Sequence, residues 1–194
     1  MKNKVFLLAF FGIACVGVLT SCHMGNHIVV SQERAVQEFS GITLDGVGTV
    51  NVHSGESRRV IVTTDSNLQD RVITTVNGNT LRISQRSGSF NSTELTIDVY
   101  MPELKSISLN GAGNFYINSG NASELEFSLS GAGSIDAQNF QVQDVTIRHS
   151  GVGNAKIWAT KTLNGNLSGV GNILYKGNPA INVHRLGIGS IKPL

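Results

Sequence analysis

Cysteine, proline, tryptophan and charge are all scarce in this chain, and each shortage closes off an explanation. The two cysteines, Cys15 and Cys22, lie near the N-terminus. If the first belongs to a removed leader and the second carries lipid, no thiol remains for a disulfide or a thiolate metal site. The mature fold is then expected to stand on packing alone. There are three prolines, and Pro193 blocks one ladder position in the last segment. Without Lys2 and Lys4 the basic count falls from 15 to 13, matching the 13 acidic residues, which all lie further on. A formally neutral remainder gives no reason to expect nucleic acid as a partner. The apolar run at residues 5–19 has 15 residues, where a spanning helix needs about 20.

That run follows the basic opening Met1-Lys2-Asn3-Lys4, the polarity of a secretory signal. It ends in Leu19-Thr20-Ser21-Cys22, which resembles a bacterial lipobox. The resemblance implies cleavage after Ser21, lipid on Cys22 and attachment to a membrane. Position 23 is His and not the Asp that retains many lipoproteins at the inner membrane, so an outer-membrane lipoprotein of the cell envelope is expected. The division that follows is a signal at 1–21, a tether at 22–38 and one β-domain at 39–194, a length that suits a single core.

What the chain has in quantity is glycine, 22 residues, much of it in a repeat. Gly-x-Gly followed by Asn, Ser or Thr occurs at Gly46 and Gly48, Gly111 and Gly113, Gly131 and Gly133, Gly151 and Gly153, Gly169 and Gly171, and Gly187 and Gly189. From the second copy onward the spacings are 20, 20, 18 and 18 residues. Between copies apolar residues alternate with period two, the pattern of a half-buried strand. Val50, Phe115, Ile135, Ala155, Ile173 and Ile191 stand four residues after each first glycine; Leu44, Leu109, Leu129 and Leu167 stand two before.

One repeat thus describes a strand, a glycine bend, a second strand and a loop on the far edge at 118–123, 139–141, 160–162 and 177–179. Such a unit cannot bury its inner face alone, so units must stack. The expected fold is all-β, a flattened β-solenoid of 18–20-residue coils with Gly-x-Gly bends, regular over 101–194. Residues 56–100 are expected to form a broader, less regular β-layer over its N-terminal end. Strands are expected there at 60–64, 72–76, 81–84 and 95–100, with an Asn77-Gly78 turn and a helical turn at 66–71 behind Asp65 as N-cap.

The segment Met101-Pro102-Glu103-Leu104-Lys105-Ser106-Ile107-Ser108-Leu109-Asn110-Gly111-Ala112-Gly113, followed by Ser-Gly-Val-Gly-Asn units, resembles the bacterial head GIN domain family, from about Phe39 to the end. The resemblance implies a β-solenoid similar in form to pectin lyase and acyltransferase helices, without the catalytic residues of either, and a role in adhesion. Autotransporter heads are carried by a membrane barrel, and no such segment is found here; anchoring through Cys22 is expected in its place.

No catalytic, cofactor or metal constellation stands out. The glycine motifs enter strands and never open a helix, and no Gly-Lys-Ser follows, which argues against nucleotide phosphates. Repeat-borne calcium needs Asp where these repeats hold Asn, Ser and Thr. Glu126, Asp136 and Asp144 lie on outer rows, unaccompanied in register. His149 and Arg185 occupy inward positions filled elsewhere by Leu; a buried polar group there must find partners, and Arg185 can reach out from the last coil. Tyr116 and Trp158 point outward by the alternation and are the candidate partner contacts, Trp158 with the alternative of covering a coil edge. Three functions are carried forward: a non-enzymatic module binding an envelope protein or glycan, an enzyme acting on envelope polysaccharide, and a homo-oligomer stacking through its ends.

Overall fold

The computed structural model describes residues 23–88 and 90–194. The first half contains β1 (His23–Met24), β2 (Val29–Arg34), β3 (Gly41–Leu44), β4 (Val47–Ser54), β5 (Arg59–Asp65), a 3-10 helix (Ser66–Arg71), β6 (Val72–Asn77), β7 (Thr80–Gln85), β8 (Phe90–Asn91) and β9 (Leu95–Met101). After these come β10 (Ser106–Leu109), β11 (Ala112–Ile117), β12 (Gly120–Leu129), β13 (Ala132–His149), β14 (Ala155–Leu167), β15 (Ile173–Lys176), β16 (Ala180–Arg185) and β17 (Ile191–Pro193).

The chain is all-β, as its alternation implies. β1 and β8 form a small pair of their own, and the other 15 strands join in one sheet that folds back on itself and nearly closes, like a barrel. The long strands make the fold possible. The first part of β13 pairs with β11 and its second part with β12, so one continuous strand belongs to both layers.

Most of the pairing is parallel and puts equivalent repeat positions side by side. Gly113 stands beside Gly48 and Gly133, Phe115 beside Val50 and Ile135, and Leu129 beside Leu109 and His149. The facing inner rows supply the core, in which Phe115, Phe127 and Phe140 are the largest fully buried side chains. Each contributes about 1.5–3 kcal/mol on leaving water.

The bends need glycine for two reasons seen at once in Gly153. Its φ is +143°, a region L side chains avoid. A Cβ there would be driven into the carbonyl oxygen of Gly133, one repeat away. The residue after the second glycine has its own task. The Asn154 side-chain oxygen accepts from the Asn172 backbone N–H at 3.0 Å, and that of Asn172 accepts from the Ser190 N–H at 3.0 Å. Asn154 and Asn172 therefore tie these three repeats together where Asp would bring a charge.

The N-terminal part of the sheet is mixed. β7 and β9 continue the parallel stack beside β3 and β4, and the antiparallel strands β6 and β5 are added outside them. The turn between β6 and β7 is one residue later than the Asn77-Gly78 expectation. Asn77 pairs with Thr80, so Gly78 and Asn79 make the connection.

Three expectations are corrected. The far-edge loops at 139–141 and 160–162 are strand, and of 118–123 only 118–119 lies outside a strand. The corner is taken by register shifts between Ala137 and Gln141 and between Val142 and Asp144. Apolar alternation runs through it, with Phe140, Val142 and Val145 buried, so the ladder has no cause to break.

Residues 22–38 were expected to be a tether, but 29–34 form β2, which lies antiparallel along β5. Asp65 stands at the N-cap position of the helical turn, but its side chain makes no cap hydrogen bond. Its buried carboxylate instead accepts the backbone N–H groups of His27 and Thr93, each at 2.7 Å. The supposed tether is clamped to the body by that ion. Cys22 and the signal at 1–21 lie outside the described residues.

Candidate functional site

The outer face of the layer formed by β9, β4, β11, β13 and β14 holds a connected group of polar and aromatic side chains. One row across the strands reads Asp98, Asn51, Tyr116, Asp136, Lys156, each beside the next in register. Tyr116 is 46% exposed at its centre, a large ring held out on a sheet whose inward neighbours Phe115 and Ile117 are buried.

The groups beside the ring are held in place by one another. Asn51 donates to Asp98 at 3.0 Å. On the other side Asp136 accepts from the Gln138 side chain at 3.2 Å and from Lys156 at 3.2 Å. Two residues along, His53 stacks on Tyr100 with ring centroids 4.3 Å apart and 10° between planes, and the Arg59 guanidinium lies 4.3 Å from the Tyr100 centroid. His53 Nδ1 meets the Asn118 amide at 2.7 Å, while Nε2 lies 3.5 Å from Asp98. An exposed ring flanked by fixed amides and carboxylates can stack on an apolar face of a ligand and bond its hydroxyls or amides with little reordering.

Trp158, the other nominated aromatic, is on the same layer but presents less. The Lys176 ammonium lies 3.8 Å from its ring centroid, so one face is covered by the protein itself. Trp158 is half-buried and pairs across the ladder with Gln141 and Lys176.

The three outer carboxylates do not come together. Asp136 belongs to the Tyr116 layer, while Glu126 and Asp144 line a separate cleft of about 730 Å³ on the other, with Glu103, Glu124, Ser123 and Thr146 among its walls. Each of the three is paired with a cation from a neighbouring strand: Glu126 with Arg148, Asp136 with Lys156 at 3.2 Å, and Asp144 with Lys161 at 3.3 Å. The Thr162 hydroxyl donates to Asp144 at 2.7 Å and is the main cause that holds its carboxyl below the usual value. These are bonds that join neighbouring strands. Among the described residues no group of three or more His, Cys, Asp or Glu is placed to hold a metal ion.

His149 is fully buried, and its Nε2 meets the Gly153 carbonyl at 2.8 Å. Arg185 makes the same four-residue reach to the Gly189 carbonyl at 2.9 Å. Each therefore closes a bend, His149 from the core and Arg185 from an exposed position in the last repeat. The group around Asp98, Tyr100 and Arg59 escaped sequence reasoning because β4, β9 and β5 pair across an interval with no repeat. Alternation in residues 95–100 marks Asp98 and Tyr100 as outward, but nothing in it names β4 as their neighbour.

The family described as "Putative auto-transporter adhesin, head GIN domain" matches residues 38–119 and 111–179. No curated protein matches the sequence. Among solved structures, a putative adhesin from Bacteroides fragilis is 22% identical, with a TM-score of 0.61 over 89% of this chain and 100% of that one. A putative adhesin from Parabacteroides distasonis is 21% identical, TM-score 0.43, covering 90% of this chain and 100% of its own. A putative cell adhesion protein from Clostridium sporogenes is 19% identical, TM-score 0.44, with coverages of 85% and 98%. With the family match spanning most of its length, and the B. fragilis structure sharing its fold, this chain belongs to the head GIN domain family.

Proposed function

We propose that this protein is a non-enzymatic envelope module, lipid-anchored through Cys22 in the outer membrane and wound as a flattened β-solenoid, that binds a glycan or envelope protein on its Tyr116 face. One observation carries the reading: Tyr116 stands exposed between Asn51 and Asp136, whose side chains are already fixed by Asp98, Gln138 and Lys156. The winding is supported by parallel register at repeat spacing, glycine beside glycine from coil to coil. Adhesion is supported by family membership.

The test is a glycan array and an envelope pull-down with the chain lacking residues 1–22, beside its Tyr116→Ala variant. Specific capture by the parent and loss of most of it in the variant is the expected result. Equal capture by both would refute the face, and no capture of any envelope component would refute the function.

The polysaccharide-acting enzyme is the second reading, and the acidic cleft of Glu103, Glu124, Glu126 and Asp144 is what favours it. It is the weaker one because Glu126 and Asp144 are already engaged by Arg148 and Lys161. Release of reducing ends from envelope polysaccharide, abolished by Glu124→Gln, would reverse this order.

A further inference from the structure

The bend edge differs from the rest of the surface. The middle residues of the six Gly-x-Gly motifs, Val47, Ala112, Ala132, Val152, Val170 and Ile188, are aligned from strand to strand by direct ladder pairing and single bridges. All six are exposed, Val152 by 58% and Ile188 by 74%. They form a column of aliphatic tips running the length of the stack. The residues just before each first glycine in the four middle coils are Asn110, Ser130, Ser150 and Ser168, and those after each second glycine are Thr, Asn or Ser throughout. In the six segments from two residues before the first glycine to one after the second, the acidic and basic residues are Asp45 and Arg185, and the histidine, His149, is buried.

This edge begins where the chain enters the fold. β1 starts at the residue after Cys22 and pairs with β8, and Gly25 N–H donates to Asn91 at 2.7 Å. Asn67 donates to the Met24 carbonyl at 2.8 Å, and Asp65 joins His27 to Thr93. Two residues beyond Thr93, Leu95 packs against Gly48 of the first bend, beside Val47. From Gly25 the path to the end of the apolar column thus crosses the adjoining strands β5, β9 and β4, with Gly25 against Asp65 and Leu95 against Gly48.

We propose that the bend edge lies on a lipid surface, with the Cys22 acyl chains entering the bilayer at one end of it; this rests on the lipid anchor proposed above. The chemistry of the edge suits an interface. Its tips are aliphatic and small, the flanks of its four middle repeats are hydroxyls and amides, it has no Phe, Tyr or Trp, and its one arginine, Arg185, is bonded to the Gly189 carbonyl at 2.9 Å, whereas aromatic and arginine anchors dominate protein interfaces. Two acyl chains suffice to hold the molecule, so the column has only to orient it. With the bend edge down, the cleft on the opposite edge faces away from the membrane.

Full-length acylated protein in vesicles of phosphatidylethanolamine and phosphatidylglycerol tests this. Spin labels are placed singly through V152C, V170C and I188C on the column and Q143C on the far edge, and collisions with bilayer-partitioned oxygen and with a water-soluble nickel chelate are compared. The expected result is an oxygen-to-nickel ratio several-fold higher at all three column sites than at 143, and a return to the far-edge ratio at 170 when Val152→Asp is added. Mass spectrometry of the same samples checks the acyl chains. Acylated protein with equal ratios at all four sites overturns the orientation and leaves the anchor standing. Protein without acyl chains overturns both. Column labels shielded from nickel and oxygen alike, with or without vesicles, would mean that protein covers the edge, which also overturns the proposal.

Discussion

Gly153 carries two constraints at once, a φ of +143° and the Gly133 carbonyl oxygen where a Cβ would stand. Gly153→Ala is therefore expected to cost about 3 kcal/mol or more, read as a lower urea midpoint at unchanged slope. His149 is the opposite case. Its Nδ1 is buried without a partner, and its ladder neighbours are Leu129 and Leu167. His149→Leu loses the bond to Gly153 but also removes the orphaned nitrogen, so stability should change by no more than about 1 kcal/mol in the same measurement.

Asp65 gives a pH dependence of known sign. Burial alone would raise its carboxyl, but hydrogen bonds from Thr93 and His27 outweigh that and hold it below its ordinary 3.8. Its contribution is thus complete above 3.8 and fades as pH falls through the lower folded value. Amide exchange in β2 should accelerate over that acid range in the parent chain, and Asp65→Asn should exchange fast well above it. The repeat made the glycines and inward rows legible. It left the role of Asp65 hidden, because an Asp before a helical turn has the same local signature whether it caps that turn or holds a distant segment.

For the elements, what was legible followed the period. The strands at 60–64, 72–76, 81–84 and 95–100 are present with ends shifted by a residue or so, because alternation marks a strand's middle better than its limits. The corners were misread as loops because Asn139 and Thr160 look like turn residues, whereas Phe140 and Val142 keep the ladder buried through them. β2 was missed because all but Arg34 of its six residues are exposed and its apolar signal is brief. It holds its place through backbone pairing to β5, which it covers. Deleting residues 23–34 should leave β5 as a bare edge, and sedimentation should then show self-association that the parent lacks at the same concentration.

On the scale of the whole molecule, the family and the all-β architecture were readable because a repeat repeats its errors as well as its signals, and six copies outvote any one. The proposed binding face was half readable. Tyr116 is outward by simple alternation, but its value depends on Asn51 and Asp98, which arrive from strands 65 and 18 residues away in sequence. No local pattern records that meeting.

The most direct test is calorimetric titration of the captured glycan or envelope component into the parent chain, Tyr116→Ala, and the cleft double variant Glu124→Gln with Asp144→Asn. The Tyr116 face predicts that Tyr116→Ala weakens binding by about tenfold or more, the scale of one lost ring contact, while the cleft variant binds like the parent. Unchanged affinity in Tyr116→Ala with loss in the cleft variant would contradict it.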